Sequence, residues 1–146
     1  MDFSLPAPLI ELRDRVRAFV DQQIIPREAA IEAEDQVGGR PTLAELRSLA
    51  RSEGLWVPHL PEAWGGLEQG LLGMCTLFRE MGRSPYGAKV FNCDAPDQGN
   101  MDLLLAAGSD AIRERWLRPL IDGDITSAFC MTEPAPGAGS DPSNLR

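Results

Sequence analysis

The sequence predicts a mainly α protein: a helical bundle over residues 1–124, then one strand and a loop over residues 125–146. Three observations lead there. Apolar residues recur every three or four positions through most of the chain, the spacing of one helix face. Turn and cap residues, among them Thr42, Gly54 and Ser109, cut that pattern into separate helices. After Asp122-Gly123-Asp124 the pattern changes to a rough alternation of β-type residues.

Leu9, Leu12, Val16, Phe19 and Ile24 space the first helix, with Arg13, Asp14, Arg17 and Asp21 between them. Pro26 ends or kinks it, because proline lacks an N–H and its ring crowds the carbonyl four residues back. The acidic stretch from Arg27 to Asp35 is able to continue helically beyond that point, up to the break at Gly38-Gly39-Arg40-Pro41. In the second helix Thr42 and Glu45 have the spacing of a capping box, and losing the Thr42 cap would cost about 1 kcal/mol. Leu43, Leu46, Leu49 and Ala50 form its inner side, and Gly54 stops it.

A Trp-, Pro- and Gly-rich loop from Leu55 to Gly66 follows. The third helix runs from about Gln69 to Met81. Its apolar residues (Leu71, Leu72, Met74, Cys75, Leu77, Phe78, Met81) cover most of the circumference, which predicts a central place in the bundle. A loop through Asn92-Cys93-Asp94-Ala95-Pro96 leads to a short helix around Met101 to Ala107. Ser109 caps a fifth helix that turns Ile112, Trp116, Leu117, Leu120 and Ile121 inward. Ile125 to Met131 then reads as a strand, and five helices offer it no partner strand. A second domain therefore opens at about residue 125.

Composition narrows the function. The chain has 14 basic and 22 acidic residues, a net charge of −8, and a single lysine, Lys89. No basic stripe marks a nucleic-acid partner. No apolar run approaches the roughly 20 residues that span a bilayer, and the N-terminus lacks the basic start of a signal peptide. The three cysteines (Cys75, Cys93, Cys130) are odd in number and form no C-x-x-C pair, so they predict reduced, mostly buried thiols and a cytoplasmic protein. His59 is the only histidine, which excludes a multi-histidine metal site within one chain. It reads as a surface or packing residue.

Chemistry concentrates in the loop from Thr132 to Asp141. Gly137 and Gly139 let backbone approach a ligand closely, and Thr132 and Ser140 add hydroxyls. Such a loop suits a flat polar heterocycle or a phosphate; the same composition also makes a domain linker. Asn92, Asp94 and Asp97 read first as turn formers before a helix. Trp56, Trp64 and Trp116 read as packing rather than as a stacking platform.

Taken in order, the blocks resemble the acyl-CoA dehydrogenase family. Phe129-Cys130-Met131-Thr132-Glu133-Pro134, followed by Gly139-Ser140-Asp141, is similar to its flavin-contacting signature. Gly108-Ser109-Asp110 and the Trp116 to Asp124 stretch resemble the helix and turn leading into that signature. Gly54-Leu55-Trp56, Pro61 to Gly66, and Glu80-Met81-Gly82-Arg83-Ser84 match earlier parts in sequence. Val90 to Met101 resembles the branch containing family members 10 and 11 and their bacterial relatives. The Ala135-Pro136 insertion lengthens the interval between the two halves of the flavin signature.

This resemblance implies an N-terminal helical domain and the start of a β-barrel-like, flavin-contacting domain. It implies FAD as cofactor and an acyl-CoA substrate oxidised to the trans-2-enoyl-CoA. An electron-transfer flavoprotein or similar acceptor and a homo-oligomeric full-length enzyme also follow from it. Carried over by position, Phe129, Met131 and Thr132 contact the flavin ring, with the Met131 amide and the Thr132 hydroxyl as hydrogen-bonding groups. Gly139 and Ser140 lie near the FAD phosphate, and Ser140 also near the acyl-CoA. The family's catalytic carboxylate belongs to a C-terminal domain, so no residue of this chain is assigned as base, none as metal ligand, and the chain alone is expected to be inactive. The alternative is a non-catalytic helical interaction module with a Pro/Gly-rich C-terminal linker.

Overall fold

The architecture was read from a computed structural model, which describes residues 4–130 together with Thr132 and Ser143. Helices α1 (Ala7–Phe19), α2 (Glu28–Gln36), α3 (Pro41–Ser52), α4 (Gly70–Met81), α5 (Gly87–Val90), α6 (Asp97–Ala107), α7 (Asp110–Ile112) and α8 (Arg118–Asp122) follow in order. The helical prediction holds. The chain divides into two compact units after Gln98.

In the first unit α1 packs on α4, α2 on α3, and α5 on both α3 and α4. The apolar stripe of α1 is buried at Leu9, Leu12, Val16 and Phe19, and the Phe19 and Phe91 rings meet at 5.3 Å. Between α1 and α2 the chain stays helical through a π turn (Val20–Ile24) and a 3-10 turn (Ile25–Arg27). A second π turn (Arg113–Leu117) joins α7 to α8. Each π turn ends two residues before a proline, Pro26 or Pro119. Widening the turn is how the chain goes past a residue that can neither donate an N–H nor accept a carbonyl close behind its ring. Pro26 therefore redirects the first helix without ending its helical run.

Gly54 stops α3 as predicted. Its φ is +68°, the Leu55 N–H reaches the Ala50 carbonyl at 2.9 Å, and the Gly54 N–H reaches Arg51 at 3.0 Å. This double bond pattern satisfies the last carbonyls of the helix.

Four expectations need correction. Thr42 is not an N-cap; it lies inside the first turn of α3, and the Glu34 carboxylate of α2 takes its N–H (2.9 Å) and its hydroxyl (2.5 Å). Helix α4 is not buried all round: Met74, Leu77 and Met81 are inside, while Leu71, Leu72 and Cys75 are exposed. The thiols are free but only Cys93 is buried. Residues 125–130 form no strand, and no strand occurs among the described residues. The residue types suit a strand, but a ladder needs a second strand to exchange N–H and C=O groups, and helices provide none.

Candidate functional site

The second unit builds the region that leads to the predicted flavin contacts. Ser109 caps α7, its Oγ accepting from the Ile112 N–H at 3.4 Å. Arg113 donates through Nη2 to the Leu105 carbonyl at 2.9 Å, bracing the helical run that begins with α7 against α6. Leu117, Leu120 and Ile121 are buried, and Gly123 closes α8 in the left-handed region at φ +71°. The Gly123 N–H bonds the Leu120 carbonyl and the Asp124 N–H bonds that of Pro119, so the chain reverses.

It then passes along α6. Asn100 donates through Nδ2 to Ser127 Oγ at 2.8 Å and to the Ala128 carbonyl at 3.4 Å. Between α6, the α8 region and residues 125–128 lies a cavity of about 290 Å³, with Leu103, Leu104, Trp116, Leu120 and Ile125 as its apolar wall. Asn100, Thr126 and Ser127 supply its polar groups. Trp116 is 47% exposed and carries the Arg115 guanidinium 4.8 Å from its ring centroid. The prediction of an inward packing role for Trp116 is therefore only half met: one face lines the cavity and the rest meets solvent. On α6, partial burial raises the Asp102 carboxyl above its usual value.

Of the predicted cofactor residues, Phe129 is 66% exposed and Thr132 is exposed. Met131, Gly139 and Ser140 lie outside the described residues. An exposed aromatic face, an exposed hydroxyl and an adjacent, mainly apolar cavity suit a flat ring system with one polar edge, so the residues present fit a flavin. Asn100 escaped the sequence reading. A lone amide in the first turn of a helix has no sequence signal of its own, and only the return of the chain gives it these acceptors.

The remaining polar residues have structural roles in the first unit. Asn92 is buried at φ +54°, a conformation asparagine tolerates, and Asp97 opens α6 with its carboxylate at the positive end of the helix. Arg47 donates to the Lys89 carbonyl at 3.0 Å; burial lowers its pKa, and the Asp97 and Asp94 carboxylates oppose that shift. His59 is half-buried, and neither ring nitrogen has a hydrogen-bond partner. No group of His, Cys, Asp and Glu among the described residues could hold a metal ion. Among the described residues no helix is long and apolar enough to cross a membrane.

The class is thus a helical domain that ends on an exposed, ladder-free segment beside an apolar cavity. Residues 9–124 match the model of the acyl-CoA dehydrogenase N-terminal domain, and the chain belongs to the acyl-CoA dehydrogenase family. It is 41% identical over 143 residues to acyl-CoA dehydrogenase family member 11 of Mus musculus, covering 92% of this chain and 18% of that protein. Identity to family member 10 of the same species is 35%, over 92% of this chain and 13% of that one. For FadE2 of Mycobacterium tuberculosis it is 38%, over 99% of this chain and 36% of the relative. A solved acyl-CoA dehydrogenase structure from Mycobacterium abscessus superposes with a TM-score of 0.83 at 39% identity, over 99% of this chain and 38% of that one. The chain therefore spans well under half the length of these relatives.

Proposed function

We propose that this chain is the N-terminal portion of an FAD-dependent enzyme that converts an acyl-CoA to its trans-2-enoyl-CoA. Residues 1–124 are its helical domain, and residues 125–146 open the flavin-contacting domain. When bound, FAD supplies the acceptor for the hydride leaving the β-carbon. The Phe129 ring provides a stacking face and the Thr132 hydroxyl a hydrogen bond to the flavin. The Met131 amide joins them, Gly139 and Ser140 approach the phosphate, and Ser140 also approaches the substrate. The carboxylate that removes the α-proton lies outside this chain. The whole protein is a cytoplasmic homo-oligomer that passes electrons to an electron-transfer flavoprotein or a similar acceptor.

The observation that carries this reading is the placement of an exposed Phe129 and Thr132 just past residue 124, where the family match ends. The test is to purify the protein from its complete coding sequence and record its visible spectrum. Flavin absorption that bleaches anaerobically on addition of an acyl-CoA is the expected result, with no turnover by the 146-residue chain alone. A colourless protein, or turnover by the isolated chain with an artificial acceptor, overturns it. A stable, colourless product would support a non-catalytic helical module instead.

A further inference from the structure

We propose that Asn100 is a positioning residue: its side-chain amide fastens Ser127 and Ala128 to α6 and thereby sets how Phe129 and Thr132 meet the cofactor. The inference rests on the flavin reading above and adds a residue to it.

The geometry supplies the reason. Residues 125–130 pair with no strand among the described residues, and the Asn100 amide ties them directly to α6. One Asn100 nitrogen carries two hydrogens, and two acceptors lie on the same segment, Ser127 Oγ at 2.8 Å and the Ala128 carbonyl at 3.4 Å. The Ala128 carbonyl belongs to the same rigid peptide plane as the Phe129 nitrogen. Holding that oxygen orients the plane from which the Phe129 side chain departs. The segment is mostly exposed on its other side, with Thr126, Ala128, Phe129 and Cys130 open to solvent. The Asn100 side chain therefore holds this segment to α6 at Ser127 and Ala128.

The amide also limits substitution at this place. Asp at position 100 has no hydrogens for the Ala128 carbonyl and sets a negative charge against it. Gln keeps both donors and adds one methylene, so it is the conservative replacement.

The experiment uses the complete protein with N100A, N100Q, S127A and the N100A/S127A pair. Flavin affinity, the visible circular dichroism of the bound flavin, and amide hydrogen exchange of the flavin-free protein are measured. N100A is expected to weaken flavin binding about tenfold, alter the flavin dichroism, and speed exchange at residues 127–130 while leaving α8 protected. S127A reproduces most of the loss, the pair loses little more than N100A, and N100Q restores affinity. A flavin-loaded N100A with wild-type affinity and dichroism overturns the inference and leaves the functional reading standing. Faster exchange throughout the helices overturns it too, because the amide would then only support the fold. Wild-type protein that holds no flavin overturns the functional reading and this inference with it. S127A removes one hydroxyl from a half-buried site, so it decides the matter if N100A does not fold.

Discussion

Arg17 on α1 grips Glu80 on α4 with two hydrogen bonds of 2.9 Å, from Nε to Oε2 and from Nη2 to Oε1, although Glu80 is only 1% exposed. Arg83 adds a second cation 3.8 Å from Glu80 and also reaches Asp21, just beyond α1 in the π turn. A carboxylate inside a helix interface is tolerated only when its lone pairs are met, and the fork of a guanidinium does that. The hydrogen bond from Arg17 lowers the Glu80 pKa from its ordinary 4.5, against an opposing effect of burial. The unfolded chain therefore binds this proton more readily, and the stability from the pair is present above about pH 4.5 and is lost as pH falls through the lower folded value. Glu80→Gln should cost about 1–3 kcal/mol at neutral pH and much less in acid, as read from urea unfolding at the two conditions.

Glu34 and Thr42 define a second joint. Because the α2 carboxylate, not Glu45, takes the Thr42 donors, Glu34→Ala should destabilise by about 1 kcal/mol. Glu45 is an exposed partner of Arg27 at 3.7 Å, and Glu45→Ala should change stability by about 0.5 kcal/mol or less. Thermal melts of the two variants decide between this joint and a capping box; equal losses would favour the box.

These two pairs show what the sequence could and could not convey. Leu12, Val16 and Phe19 announce a buried face through spacing alone, and Gly54 and Ser109 announce ends through local backbone chemistry. Glu34 becomes the partner of Thr42 only after α2 and α3 pack, a relation that no local pattern records. The same holds at the candidate site. Phe129 and Thr132 are proposed through resemblance to a family signature, whereas Asn100 acquires acceptors only when Gly123 turns the chain back. The strand reading of Ile125 to Met131 read the residue types correctly, but pairing depends on a neighbour. Leu71 and Leu72 have the hydropathy of core residues and the exposure of surface ones, because hydropathy does not say which neighbour covers a face.

His59 makes a pH dependence of opposite origin. Burial lowers its pKa from 6.5 to about 4, so the folded ring stays neutral where the unfolded ring takes a proton. Between those values the unfolded chain binds more protons; stability from this residue falls as pH drops from about 6.5 toward about 4 and changes no further below. His59→Leu removes that slope and two unpartnered polar atoms, so it should raise stability at neutral pH by about 1 kcal/mol. It should also narrow the gap between melting temperatures at neutral pH and at pH about 5. An unchanged gap would mean that His59 titrates alike in both states.

The outer face of α4 sets the behaviour of the 146-residue chain in solution. Leu71 and Leu72 are 83% and 61% exposed at its first turn, and Cys75 lies exposed one turn on. Covering a leucine side chain fully gains about 1.5–3 kcal/mol, so two such residues on one turn favour association over solvation. Because neither contributes to the buried side formed by Met74, Leu77 and Met81, changing them leaves the helix core intact. Light scattering of the isolated chain should show concentration-dependent self-association, and the pair L71E/L72K should reduce it to a monomer with unchanged helicity. Association that persists in the double variant would move the contact elsewhere, with the exposed Leu103, Trp116 and Phe129 as the next surface to change.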